Sequence, residues 1–147
     1  FVVQRVSTQT GAVASGTTTI PYDDTIPQNT EGDQYMTLSI TPKSTSNILV
    51  IEVKASLATS VLNNVGLALF QDATASALAA TEALGQASGL TMCSLTHTMT
   101  AGTTSSTTFN VRAGGSLAGT TTFNGDSGAR KYGGVMASSI VIREYSA

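Results

Sequence analysis

Apolar and polar residues alternate along most of this chain, and a period of two predicts strands. The clearest run is NILVIEVKASL (47–57), which puts Leu49, Ile51, Val53, Ala55 and Leu57 on one face. Its other face begins apolar with Ile48 and Val50, then turns to Glu52, Lys54 and Ser56, so one end is expected to be covered on both sides. Further strands are predicted at 2–8, 17–20, 35–41, 64–72, 88–100, 106–114, 121–123 and 135–145. Phe109 and Val111 point inward in one of these, and Ile140 and Ile142 in another. In 88–100, Leu90, Met92 and Ser94 share one face, and Cys93, Leu95, His97 and Met99 the other.

Turn signals separate the runs. Pro42 with KSTS ends one strand, and Asn124-Gly125 reads as a hairpin turn. The alanine-rich stretch 73–87 fits two structures. Asp72 as cap and Gly85 as stop suit a short helix, whereas a turn at ATAS returning as ALAATEAL suits a hairpin. The surrounding strands favour the hairpin. The sum is a single all-β domain over 1–147, an antiparallel sandwich or jelly roll of about eight to ten strands.

Composition sharpens the picture. More than a quarter of the residues are threonine or serine and only 11% are charged. Threonine is β-branched and suits a pleated, half-exposed surface. Alanine supplies much of the 41% hydrophobic content, which predicts a thin core and burial shared between subunits. A net charge of −2 and the lack of clustered lysine and arginine argue against nucleic acid as a partner. No apolar run approaches the roughly 20 residues of a membrane-spanning helix. No secretory leader is visible, and a chain opening at Phe1 is expected to be a processed product or part of something longer. The single cysteine, Cys93, reads as a small buried residue.

Catalytic chemistry finds little purchase. His97 is the only histidine and sits mid-strand between Thr96 and Thr98, with no nucleophile elbow or neighbouring acid. His/Cys zinc ligation lacks ligands. The glycine pairs 114–115 and 133–134 read as turns, not phosphate loops. A carboxylate pair for glycoside hydrolysis would lack aromatic platforms, since tryptophan is absent. No enzymatic activity and no cofactor are expected.

The candidate binding residues lie in two loops. The stretch 21–34 supplies Tyr22, Asp23, Asp24, Asn29, Glu31 and Asp33. Its carboxylates, with Asn29, are of the type that holds calcium, but their spacing departs from the EF-hand pattern, and turns also favour Asp and Asn. The segment 114–131 supplies Asn124, Asp126, Arg130 and Lys131. Sandwich loops gather at the two ends of the fold, which is where recognition is expected. Alternatively, the opposite charges of the two loops pair across a subunit interface.

The blocks TTTIPYDDTIPQNTEGDQYM (17–36), LALFQDATASALAAT (67–81), LTHTMTAGTTSSTTFNVRAG (95–114) and ARKYGGVMASSIVIREY (129–145) resemble a family of tailed-bacteriophage and prophage virion surface domains of the tail-fibre type. The ending, an aromatic, Gly-Gly and a strand closing on Arg-Glu-Tyr, is also similar to trimeric jelly rolls of the tumour-necrosis-factor and complement-C1q kind. The resemblance implies a homotrimer on the virion surface, assembled in the host cytoplasm. Its partners would be its own copies, other virion proteins and a host surface glycan or protein. It leaves open a capsid decoration or head-fibre protein that stabilises the shell, and a lectin-like carbohydrate-binding module. The family brings no catalytic motif.

Overall fold

A computed structural model describes residues 1–147. The chain forms β1 (Val2–Thr10), β2 (Ala14–Gly16), β3 (Asp33–Ile40), β4 (Ile48–Thr59), β5 (Asn63–Gln71), β6 (Ala79–Gly85), β7 (Gly89–Thr100), β8 (Thr107–Gly115), β9 (Thr121–Phe123), β10 (Gly125–Asp126), β11 (Ala129–Arg130) and β12 (Ser138–Tyr145). One sheet runs β1-β12-β4-β7, with β9 and β2 continuing beside β4 where β12 ends. The facing sheet runs β3-β8-β5-β6. All pairings between these strands are antiparallel. The chain crosses between the sheets repeatedly, which is the jelly-roll arrangement.

The alternation places the core where it was expected. Leu49, Ile51, Val53, Leu67, Leu69, Phe109, Val111, Ile140 and Ile142 are each no more than 1% exposed and belong to one cluster between the sheets. The cluster is not thin. Leucine, isoleucine, valine and phenylalanine dominate it, and only Ala55, Ala101 and Ala113 represent alanine. The alanine-rich stretch lies instead on and beside β6, an edge strand. There the hairpin wins over the helix because β6 pairs residue by residue with β5, from Asn63↔Gly85 to Leu69↔Ala79. Tertiary pairing overrides local helix propensity.

Three local expectations are corrected. Residues 17–20 are not a strand; the short strand is β2, three residues earlier. Asn124-Gly125 is not the hairpin turn, because β9 leaves Phe123 to pair with β4 and β2. The two-residue turn is Ser127-Gly128, joining β10 to β11 with φ of 52° and 76°, as a type I′ turn requires. Finally, the last strand begins at Ser138 and not at Val135, after a short 3₁₀ turn at Tyr132–Gly134.

Glu144 is the fold's one fully buried carboxylate. It alternates inward on β12 and accepts hydrogen bonds from Gln4 Nε2 at 2.8 Å, Asn47 Nδ2 at 2.8 Å and the Lys43 N–H at 2.7 Å. Asn47 in turn accepts from the Ala101 N–H at 2.8 Å through its carbonyl and from the Ala147 N–H at 3.2 Å through Oδ1. Four segments thus meet on one charge. Burial pushes the Glu144 carboxyl up, but donation from Asn47, Gln4 and the Lys43 and Ser44 backbone outweighs it, and the group ends below its ordinary 4.5.

Two outcomes follow for stability. Ile51→Ala should cost about 2–5 kcal/mol by urea unfolding, since no neighbour can fill the vacated core position. The depressed carboxyl of Glu144 makes its contribution complete above its unfolded value, near pH 4.5, and lost as the pH falls through the folded value. Urea midpoints measured between pH 7 and pH 3 should therefore drop below about pH 4.5. Glu144→Gln should be destabilised on the order of 2 kcal/mol at neutral pH and show a flatter acid limb.

Candidate functional site

The long polar segment between β2 and β3 does not hang from an end of the sandwich. It is a strap laid across the outer face of the β3-β8-β5-β6 sheet. At its root the Thr18 N–H and hydroxyl donate to the Asp33 carboxylate at 3.1 and 3.2 Å. Ile20 N–H donates to Gly115 O, and Gly32 N–H to Thr19 O, each at 3.0 Å. Arg112, pointing outward from β8, donates from Nε to Glu31 O and from Nη2 to Gly32 O, both at 2.8 Å. The far bend is stitched to the β5–β6 turn by Asn29 N–H to Ala75 O at 2.8 Å and Ala77 N–H to Pro27 O at 2.9 Å.

One apolar side chain seats the strap. Ile20 is 5% exposed and lies over Gly66 and Gly114 on the sheet face. A Cβ on Gly114 would stand 2.5 Å from Thr18 O and 3.2 Å from the Ile20 nitrogen. A Cβ on Gly66 would stand 3.3 Å from Ile20 Cγ2. The strap approaches this closely only because both positions lack side chains.

Between the outer limb of the strap and the β5–β6 hairpin lies a groove of about 300 Å³. Pro21, Tyr22, Asp23, Thr25 and Pro27 form one wall. Gly66, Leu67 and Ala80 lie at the base, and Asn64, Thr81 and Glu82 complete the lining. Asn64 Nδ2 donates to Glu82 Oε2 at 2.8 Å. The Tyr22 side chain is 64% exposed.

The structure divides the candidate residues by task. Tyr22 and Asp23 line the groove, and Asp24 is exposed beside them. Asp23 Oδ1 accepts from the Thr25 N–H at 3.0 Å and from its hydroxyl, which holds the bend. Glu31 accepts from the Gln28 N–H at 2.7 Å, and Asp33 from Thr18, so both hold the strap's shape. Asn29 contributes its backbone. Asp23, Glu31 and Asp33 are each engaged separately, Asp24 is exposed, and no three His, Cys, Asp or Glu side chains converge as a metal cage.

The second segment is built differently. Asn124 is fully buried and offers no surface to a ligand: Nδ2 donates to Thr10 O at 2.7 Å and Ala12 O at 3.2 Å, and Oδ1 accepts from the Ser138 hydroxyl at 2.6 Å. Asp126 Oδ1 accepts from Ser127 at 3.2 Å, while Arg130 and Lys131 are exposed. No ion pair joins the two segments within the chain; the one ion pair is Arg143 to Glu52 at 2.8 Å. His97 is half-buried on the inner face of β7, opposite Ile51. Burial first, and the Glu82 charge second, push the Cys93 thiol up to about 11, which suppresses thiolate chemistry.

Sequence reading had not found Asn64, Glu82 or Ile20. The signal was available in the hairpin: once β5 and β6 are paired, Gly66 faces Glu82 and Asn64 stands one step along the same face.

A model of the Pgp3 C-terminal domain family matches residues 14–145, nearly the whole chain, and the chain belongs to that family. No curated protein matches. Among solved structures, the C-terminal domain of EclA, a sugar-binding protein, is similar at 18% identity over 76% of this chain and 73% of that one, with TM-score 0.42. A CBM4 structure is similar at 12% identity over 78% and 68%, with TM-score 0.46. The VP2 subviral particle of infectious bursal disease virus is similar at 11% identity over 99% of this chain and 38% of that one, with TM-score 0.45.

The seat of the strap can be tested directly. Gly114→Val places a branched side chain against Thr18 O and the Gly32 backbone and should lift the strap. Hydrogen exchange at residues 18–32 should then accelerate while β4 and β12 remain protected. Unchanged protection of 18–32 would show that Gly114 does not govern the strap.

Proposed function

We propose that this member of the Pgp3 C-terminal domain family is a non-enzymatic, homotrimeric domain displayed on the outside of a phage particle as part of a tail fibre or spike, where it contacts the host surface. The observation that carries the reading is the outer face of the β1-β12-β4-β7 sheet. Register places Tyr145 beside Ile48, Arg143 beside Val50, and Val141 beside Glu52. Thr96, Thr98 and Thr100 continue the same rows on β7.

This face is broad and short-chained, and its apolar side chains are only half-buried in the single chain. Its charges are few: Arg143 and Glu52 form an ion pair, Arg5 stands on the edge strand β1, and Lys54 stands between Ser139 and Ser94. Such a surface favours close approach of another sheet. Three copies around an axis would cover Ile48, Val50, Val141 and Tyr145 without stranding a charge. The trimer reading rests on this face and not on a weak core, since the core is well filled. The placement on a phage particle rests on the sequence resemblance of 17–36 and 129–145. A structural role, with no enzymatic step, agrees with the engaged carboxylates and with the positions of His97 and Cys93.

Light scattering should return three times the 15.0 kDa chain mass. Val141→Asp, which adds a charge beside Glu52, should give a folded monomer with an unchanged far-ultraviolet spectrum. A variant that remains trimeric would remove this face from the interface, and a monomeric unmodified chain would remove the trimer.

A further inference from the structure

The groove beneath the strap has a chemistry of its own. Its lining includes no lysine, arginine or histidine, while Asp23 and Glu82 are acidic, so phosphate, sulfate and sialic acid are disfavoured ligands. A cation is a poor fit as well. Glu82 Oε2 is taken up by Asn64 and Asp23 Oδ1 by Thr25, and no third acidic or histidine side chain joins them to complete a cage.

The remaining valences are mixed. The second N–H of Asn64 Nδ2 is a donor, and its Oδ1 and the Glu82 Oε1 are acceptors, all held side by side by the 2.8 Å bond. Adjacent hydroxyls on a ring each donate and accept, which matches such a planar amide–carboxylate pair. The apolar surfaces of Pro21, Pro27 and Ala80 face the same space, over the backbone of Gly66 and Leu67. The exposed Tyr22 ring adds a face on which the C–H side of a sugar can stack.

We propose that this groove binds one unit of a neutral saccharide, with Tyr22 as the stacking platform and Asn64 with Glu82 as the hydroxyl-reading pair. The inference rests on the host-contact reading above and names its ligand class and residues. The strap shapes one wall, and the seat of Ile20 on Gly66 and Gly114 sets where that wall stands.

The test is titration of the purified chain with neutral hexose and N-acetylhexosamine oligosaccharides, with sialylated oligosaccharides and oligolysine as comparators. A neutral oligosaccharide should bind saturably and independently of salt. Tyr22→Ala and Asn64→Ala should each weaken binding about tenfold, with melting temperature and oligomeric state unchanged, and Tyr22→Phe should bind normally. Absence of binding by every neutral oligosaccharide, indifference to both alanine variants, or salt-sensitive binding of oligolysine instead would each overturn the proposal. Adsorption to cells of the particle's bacterial host separates the two readings. If the unmodified chain adheres and both variants adhere equally, the groove fails and host contact stands. If the unmodified chain does not adhere, host contact itself fails.

Discussion

A buried charge must be met from all sides, and in this fold that demand organises one whole end. Glu144 can remain ionised without solvent only while Gln4, Asn47 and the Lys43 backbone all point at it. The donors come from the first strand and from both ends of the β3–β4 turn. Because Asn47 also takes the backbone N–H of Ala101, the turn after β7 is drawn to the same point. Replacing any of these groups strands the others in an apolar setting, so the network acts as a unit. Asn124 plays a similar part elsewhere, bonding two carbonyls before β2 and the hydroxyl of Ser138, which itself accepts from the Ser56 N–H. Buried hydrogen bonds therefore lock the strand order that the apolar core fills but does not by itself specify.

With both inner faces committed to the core, the two outer faces are free to differ. The face of the β1-β12-β4-β7 sheet carries few charges and half-buried apolar rows, suited to meeting another sheet. The face of the β3-β8-β5-β6 sheet is carpeted by the strap, which reaches it through the hollow at Gly66 and Gly114. Backbone bonds pin the outer limb at Ile20 and Pro27, and the Arg112 fork holds the return limb at Glu31 and Gly32, so the groove wall is anchored at both ends. Rigidity of this kind lowers the ordering cost of binding. It also explains why so many polar residues of 21–34 face inward to the strap itself, leaving Tyr22 and Asp23 toward the groove.

What the sequence by itself determined was the set of strands and the side of each that is buried. In β4, β5, β8 and β12 the alternation of large apolar residues leaves one face that can be covered, and a shift of one residue would expose every one of them. The expected core residues were legible for that reason. So was the β5–β6 hairpin, although alanine's helix propensity obscured it. What only the tertiary structure decided was the use made of polar and small residues, since these have no fixed address. Asn124 looked like a turn residue and is an internal knot. Glu31 and Asp33 looked like a ligand cluster and are fasteners of the strap. Glu144 falls by alternation on the same side as Ile142, and only the fold supplies the three donors that let a carboxylate be fully buried there. Gly114 looked like a turn residue, and with Gly66 it is the seat for Ile20. A hydrogen-bonding side chain takes its role from whichever partner the fold brings within about 3 Å. Those partners lie up to 140 residues away along the chain, at Gln4 and Glu144.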